Sequence, residues 1–137
     1  MSPARDTLVG LIDAWVADPD GDVVYAEEVE GRWATRLRQE CREATTIWWD
    51  VRQRTITAEA YVLPTPTTNH AEVYRLCLIR NASALRVHFA LDSEEAIVLR
   101  ARVPVEQATA EVLDQVLAEI HQQVELSFRP LVRMAFQ

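Results

Sequence analysis

Lysine is missing from this 137-residue chain, and all 14 basic residues are arginine. A GC-rich coding sequence produces that pattern as readily as a binding requirement does. Positive charge is scarce as well: 14 arginines stand against 21 acidic residues, for a formal net charge of −7 and a pI near 4.9. Nonspecific nucleic-acid binding needs a positive surface that displaces counterions from phosphate, so no nucleic-acid partner is expected. Only three glycines occur, too few for a glycine-rich loop whose backbone cradles a phosphate. The two cysteines, Cys41 and Cys77, lie in unrelated contexts without a CxxC pair. They are expected as reduced thiols in a cytoplasmic protein rather than as a disulfide. No secretory signal opens the chain, and no apolar run approaches the roughly 20 residues needed to span a bilayer. A membrane association is therefore not expected.

Signatures of chemistry are equally sparse. His70, His88 and His121 show no HExxH-type spacing, and no GxSxG elbow surrounds a serine. The acidic stretch from Asp18 to Glu28 alternates at Asp18, Asp20 and Asp22, but Gly21 falls between the second and third of these. A calcium loop needs a different order and a glutamate at its twelfth place, so a solvated turn is expected instead. No catalytic, cofactor-binding or metal-binding residue is assigned, and an enzyme is not expected.

What the chain does contain is apolar periodicity. With 49% hydrophobic residues it can bury a core without a disulfide or metal, as one domain over residues 1–137. Ser2-Pro3 reads as a helix cap followed by proline at the first helical position, with Leu8, Leu11, Ile12 and Trp15 along one stripe. Asp18-Pro19-Asp20-Gly21-Asp22 ends that helix, and Val23-Val24-Tyr25 is too short to assign. After Gly31, Trp33, Thr35 and Leu37 alternate with Ala34, Arg36 and Arg38 as a first strand.

ATTIWWDVRQ and RTITAEAYVLP then form a hairpin. With Gln53-Arg54 at the tip, Val51, Trp49 and Ile47 face Ile56, Ala58 and Ala60 on the dry side. Trp48 faces Glu59 and Asp50 faces Thr57 on the wet side. Past Pro64 and Pro66, Asn69 and Glu72 read as a capping box for a helix carrying Val73, Leu76 and Cys77, widened by Tyr74 and Leu78. The period then drops to two, turning Leu85, Val87, Phe89 and Leu91 inward and Arg86 and His88 outward. A fifth strand follows with Ile97, Leu99, Ala101 and Val103 inward. The last helix is expected to start at Thr109 and to kink or end near Phe128, because Pro130 removes a hydrogen bond. The order is α-β-β-β-α-β-β-α, an α+β domain whose mostly antiparallel five-stranded sheet carries its helices on one face.

Several segments carry a resemblance: AEAYVLP at Ala58–Pro64, NHAEVYRL at Asn69–Leu76, Arg80-Asn81, the strand pair around Asp92, and LVRMAF at Leu131–Phe136. From Trp33 to Phe136 the chain resembles the actinobacterial branch of the YbjN-domain family. That resemblance implies the fold of type III secretion chaperones and brings no catalytic residues with it. The chain departs from the family pattern at Glu94-Glu95, where a Gly-Asp pair is usual, and at Tyr61-Val62, where Phe-Val is usual. Both changes touch a turn or strand end rather than the fold.

The functional expectation is a non-catalytic protein-interaction domain, regulatory or, as the resemblance implies, chaperone-like. A homodimer and a protein client are the expected partners. The alternative is a small-molecule-binding regulator or an enzyme of unrecognised type. The candidate partner-binding surface is the wet sheet face at Arg36, Trp48, Glu59, Tyr61 and Arg86. If Leu37 pairs with Ile47, Arg36 comes beside Trp48, giving an arginine-tryptophan-glutamate row of the composition found in interface anchors.

Overall fold

The computed structural model describes residues 2–137. Helix α1 (Pro3–Ala17) begins as its sequence dictates, with Ser2 Oγ accepting from the Arg5 N–H at 3.2 Å and proline in the first turn. Six strands follow the order β1 (Val23–Val29), β2 (Arg32–Arg38), β3 (Ala44–Val51), β4 (Thr55–Leu63), β5 (His88–Leu91) and β6 (Ile97–Pro104). Helix α2 (His70–Ala82) separates β4 from β5, and α3 (Ala110–Ala135) closes the chain. The sheet order is β1-β2-β3-β4-β6-β5, with each neighbouring pair antiparallel.

The strand absent from the five-stranded expectation is β1. Glu30 and Gly31, with φ of 53° and 84°, form a two-residue turn with positive φ at both centres, the geometry that joins tightly twisted strands. Val23–Val29 therefore folds back on β2, although the segment is too polar to show a buried alternation. The β3–β4 hairpin has the expected register: Val51–Ile56, Trp49–Ala58, Ile47–Ala60, Asp50–Thr57 and Trp48–Glu59. Its tip is Gln53-Arg54, closed by the Arg52 N–H on the Thr55 carbonyl at 2.8 Å, with neither tip residue at positive φ.

All three helices cover one face of the sheet. Leu37, Ile47, Trp49, Ile56, Ala58, Leu99, Ala101 and Val103 meet Leu8, Ile12 and Trp15 of α1 and the stripe Leu113, Val116, Ile120, Val124 and Leu131 of α3. The Trp15 and Trp49 rings lie 5.5 Å apart, and Trp49 Nε1 donates to Thr35 Oγ1 at 3.0 Å, so the buried indole is both packed and satisfied.

Two carboxylates of α3 hold loops against this layer. Glu125 accepts from Gln39 Nε2 and from the backbone N–H groups of Glu40 and Cys41, fixing the β2–β3 connection. Glu119 accepts from the successive N–H groups of Leu85, Arg86 and Val87 at 2.9, 3.0 and 3.2 Å, a backbone nest filled by a side chain.

Four local expectations are corrected. Asn69 does not form a capping box with Glu72: its backbone is left-handed at φ 55°, and its Nδ2 donates to the Met134 carbonyl at 2.9 Å. Thr67 and Thr68 donate to the Ala135 carbonyl, so this loop satisfies carbonyls at the α3 terminus that the helix itself leaves free. Helix α3 continues through Pro130 to Ala135, because Ser127, Leu131 and Ala135 extend its buried stripe. The carbonyl deprived of its donor belongs to Leu126, an exposed residue where water can replace it. Leu85 is 75% exposed, since Glu119 holds residues 85–87 before the sheet pairing starts at His88. Leu78, expected to widen the apolar side of α2, is 69% exposed.

The two sheet edges differ. On β5 the Asn81 carboxamide accepts from the Phe89 N–H at 2.7 Å and donates to the Phe89 carbonyl at 3.1 Å, as a neighbouring strand would. At Phe89 this edge is already occupied, whereas β1 borders only β2.

Candidate partner-binding face

The sheet face without helices carries every second residue of the same strands, and its central row crosses five of them. Ala34 on β2 pairs with Trp48 on β3, which pairs with Glu59 on β4, then Arg100 on β6 and His88 on β5. Glu59 Oε1 receives both Nε and Nη2 of Arg100, each at 2.7 Å. The Arg32 guanidinium carbon lies 4.5 Å from the centre of the Trp48 ring. Ala34 presents only a methyl group opposite the indole, and the longer Arg32 covers the ring from the diagonal position. Such a stack contributes about 0.5–1 kcal/mol at an exposed site.

The expected register of β2 against β3 is corrected by two residues: Thr35, not Leu37, pairs with Ile47, and Arg36 lies opposite Thr46. Arg36 instead approaches Glu43 at 3.5 Å. A two-residue shift leaves every side chain on its own face, so alternation alone cannot distinguish the registers. The buried Thr35–Trp49 hydrogen bond and the Glu125-anchored loop at 39–41 select this one.

The remaining expected residues are spread along the face. Tyr61 sits two positions beyond Glu59 and is 51% exposed, beside Val98, which is 1% exposed although it belongs to the helix-free side. Arg86 lies at the β5 end, where it lines a depression with His88, Arg100 and Arg102. Trp48 and Glu59 are thus neighbours, Tyr61 and Arg86 flank them, and Arg36 is displaced along β2 toward the β2–β3 connection. Arg32 escaped the sequence reading; its shared parity with Ala34 and the small size of Ala34 were the available signals.

Among the described residues the three histidines lie apart from one another. His70 stacks edge-on with Tyr74, His88 lies opposite Arg100, and His121 Nε2 is 3.7 Å from Asp22, three separate places. Cys41 and Cys77 are free; burial pushes the Cys77 thiol up to about 11, and burial followed by the neighbouring Glu125 carboxylate raises Cys41. Both are therefore poor thiolates at neutral pH. Glu125 is lowered: partial burial pushes it up, but hydrogen bonds from Glu40, Gln39 and Cys41 and the nearby His121 outweigh that. Among the described residues no cluster of histidine, cysteine and carboxylate side chains could hold a metal ion, and no helix is long and apolar enough to cross a membrane.

A six-stranded antiparallel sheet with one helical layer and a helix-free face bearing Trp48 and Tyr61 defines an α+β module. The family model for YbjN, described as "Putative bacterial sensory transduction regulator", matches residues 10–132, and the chain belongs to that family. The uncharacterised protein ML2442 of Mycobacterium leprae is 29% identical over 106 residues, 77% of this chain and 58% of the relative. The uncharacterised protein Rv0487 of Mycobacterium tuberculosis is 29% identical over 87 residues, 64% of this chain and 48% of the relative. The chain thus spans about half the length of these relatives. A solved structure described as "Crystal structure of YbjN, a putative transcription regulator from E. coli" superimposes with a TM-score of 0.59 at 20% identity, over 92% of this chain and 89% of that one. That likeness establishes a shared fold.

Proposed function

We propose that this chain is a non-catalytic regulatory domain that docks a protein partner on its helix-free sheet face, in the first place a second copy of itself. The observation that carries this reading is the half-buried Trp48, roofed by Arg32 and flanked by the Glu59–Arg100 pair, on a face no helix covers. Tryptophan, tyrosine and arginine are the residues that concentrate binding energy at interfaces. The face bears both signs, with Arg32, Arg36 and Arg100 near Glu27 and Glu59, around an aromatic centre. Such a surface can be complementary to itself across a two-fold axis, which an overall charge of −7 would otherwise oppose. The family description as a sensory transduction regulator agrees with a role in relaying rather than converting, and two free thiols agree with a reducing compartment such as the cytoplasm.

Sedimentation equilibrium on the wild type and Trp48→Ala tests the reading. The wild type is expected to dimerise, and the variant to shift to monomer with unchanged far-ultraviolet dichroism. A monomeric wild type, or a variant of unchanged mass, would overturn the self-docking reading.

A further inference from the structure

We propose that the depression at the β5–β6 end of the helix-free face binds a small phosphomonoester through Arg86, Arg100 and Arg102. The concavity measures about 490 Å³, and its walls include those arginines, His88, Leu85 and Pro104. Strand parity assembles it. His88 pairs with Arg100 and Arg102 lies two residues further along β6, so these three project to one side of two adjacent strands, and Arg86, in the segment that Glu119 holds just before β5, completes the lining.

The pairing of these side chains is incomplete. Arg100 is held by Glu59. Arg102 makes no ion pair or side-chain hydrogen bond among the described residues, and the Nε of Arg86 is buried without a partner. Glu119 reaches the same segment, but its carboxylate is occupied by the backbone N–H groups of Leu85, Arg86 and Val87. Arg86 and Arg102 thus line one hollow without an ion pair among the described residues. Like charges gathered in one concavity raise one another's free energy, and an arriving anion relieves that.

The ligand class follows from the geometry. Planar guanidinium forks match phosphate oxygens in pairs, and two arginines without an ion pair match a phosphomonoester dianion. The hollow falls within the range of about 300–1,000 Å³ typical of small-molecule sites, and it exceeds what phosphate alone would fill. Leu85 and Pro104 offer the apolar wall for the rest of the molecule. Glycine-poor as the chain is, side chains rather than a backbone loop do the gripping. This site needs no protein partner; it shares Arg100 with the face proposed for docking, while Arg102 belongs to the hollow alone.

Isothermal titration of the full chain with phenyl phosphate and with inorganic phosphate, at fixed ionic strength set by chloride, tests the proposal. Saturable binding is expected, tighter for phenyl phosphate. It should weaken by about tenfold or more in Arg102→Ala, whose exposed side chain has no role in packing. Arg86→Lys, which keeps the charge and stem but loses the fork, should weaken it as well. Arg52→Ala, at the β3–β4 tip, should leave it unchanged. No saturable heat up to about 10 mM ligand, far weaker than a dedicated site, would overturn the proposal. So would unaltered binding by Arg102→Ala, and so would benzoate binding as tightly as phenyl phosphate, which would remove the phosphate assignment.

Discussion

Trp48 and Trp49 are adjacent in the chain and identical in chemistry, yet they belong to two different proteins in a physical sense. Trp49 is 0% exposed, packed against Trp15 and hydrogen-bonded to Thr35, at the centre of a layer built from α1, α3 and the inner sheet face. Trp48 points the other way, half-buried between Ala34 and Glu59 with Arg32 above it. The inner indole has every neighbour it needs from its own chain. The outer one has an arginine lid and one open side. One residue of strand parity thus separates an indole enclosed by the core from an indole that its own chain leaves partly open.

The comparison is most severely tested by removing the inner indole. Trp49→Ala is expected to cost about 3–5 kcal/mol and to strand the Thr35 hydroxyl, measured by chemical denaturation. A cost near that of Trp48→Ala would break the distinction between the faces. Next in size, Glu119→Ala should cost about 2–3 kcal/mol, because three consecutive N–H groups lose one acceptor, and hydrogen exchange at Leu85, Arg86 and Val87 should accelerate.

Glu125→Gln should cost about 1–2 kcal/mol at neutral pH, since charge-assisted hydrogen bonds become neutral ones. Its native carboxyl titrates below the usual glutamate range, so its stabilisation is complete above about pH 4.3 and is lost as pH falls through the native value. The stability gap between wild type and Glu125→Gln should therefore close on acidification; a gap that stays constant down to pH about 3 would remove the electrostatic explanation. Smallest is Trp48→Ala, expected within about 1 kcal/mol of wild type, the worth of an exposed cation–π stack. Its stability effect should be slight and its effect on self-association large, and that inversion sharpens the contrast with Trp49.

Much of the fold was legible before the structure. The β3–β4 register followed from the alternation of Ile47, Trp49 and Val51 against Ile56, Ala58 and Ala60, because any odd slip would have buried Asp50. The caps at Ser2 and Thr109 were readable because each side chain satisfies an N–H three residues away. Strand β1 was not legible, since Tyr25, Glu27 and Glu28 leave it almost no buried alternation and a turn at Glu30-Gly31 supplies its pairing. The candidate face was half legible. Trp48 and Glu59 came from one hairpin, but placing an arginine over Trp48 required the β2–β3 register, which differs by two from the expected one and substitutes Arg32 for Arg36.

Sequence alone determined what is local or periodic: most of the strands and helices, and which face of the β3–β4 hairpin and of α1 and α3 is dry. Tertiary structure alone decided how equivalent alternatives were resolved. Asn69 gave up a capping box for the end of α3, α3 ran through Pro130 to keep its stripe buried, and Arg86, Arg100 and Arg102 met in one hollow. In each case several local arrangements lie within about 1–2 kcal/mol of one another. Contacts between segments more than 30 residues apart choose among them, and no local pattern encodes that choice.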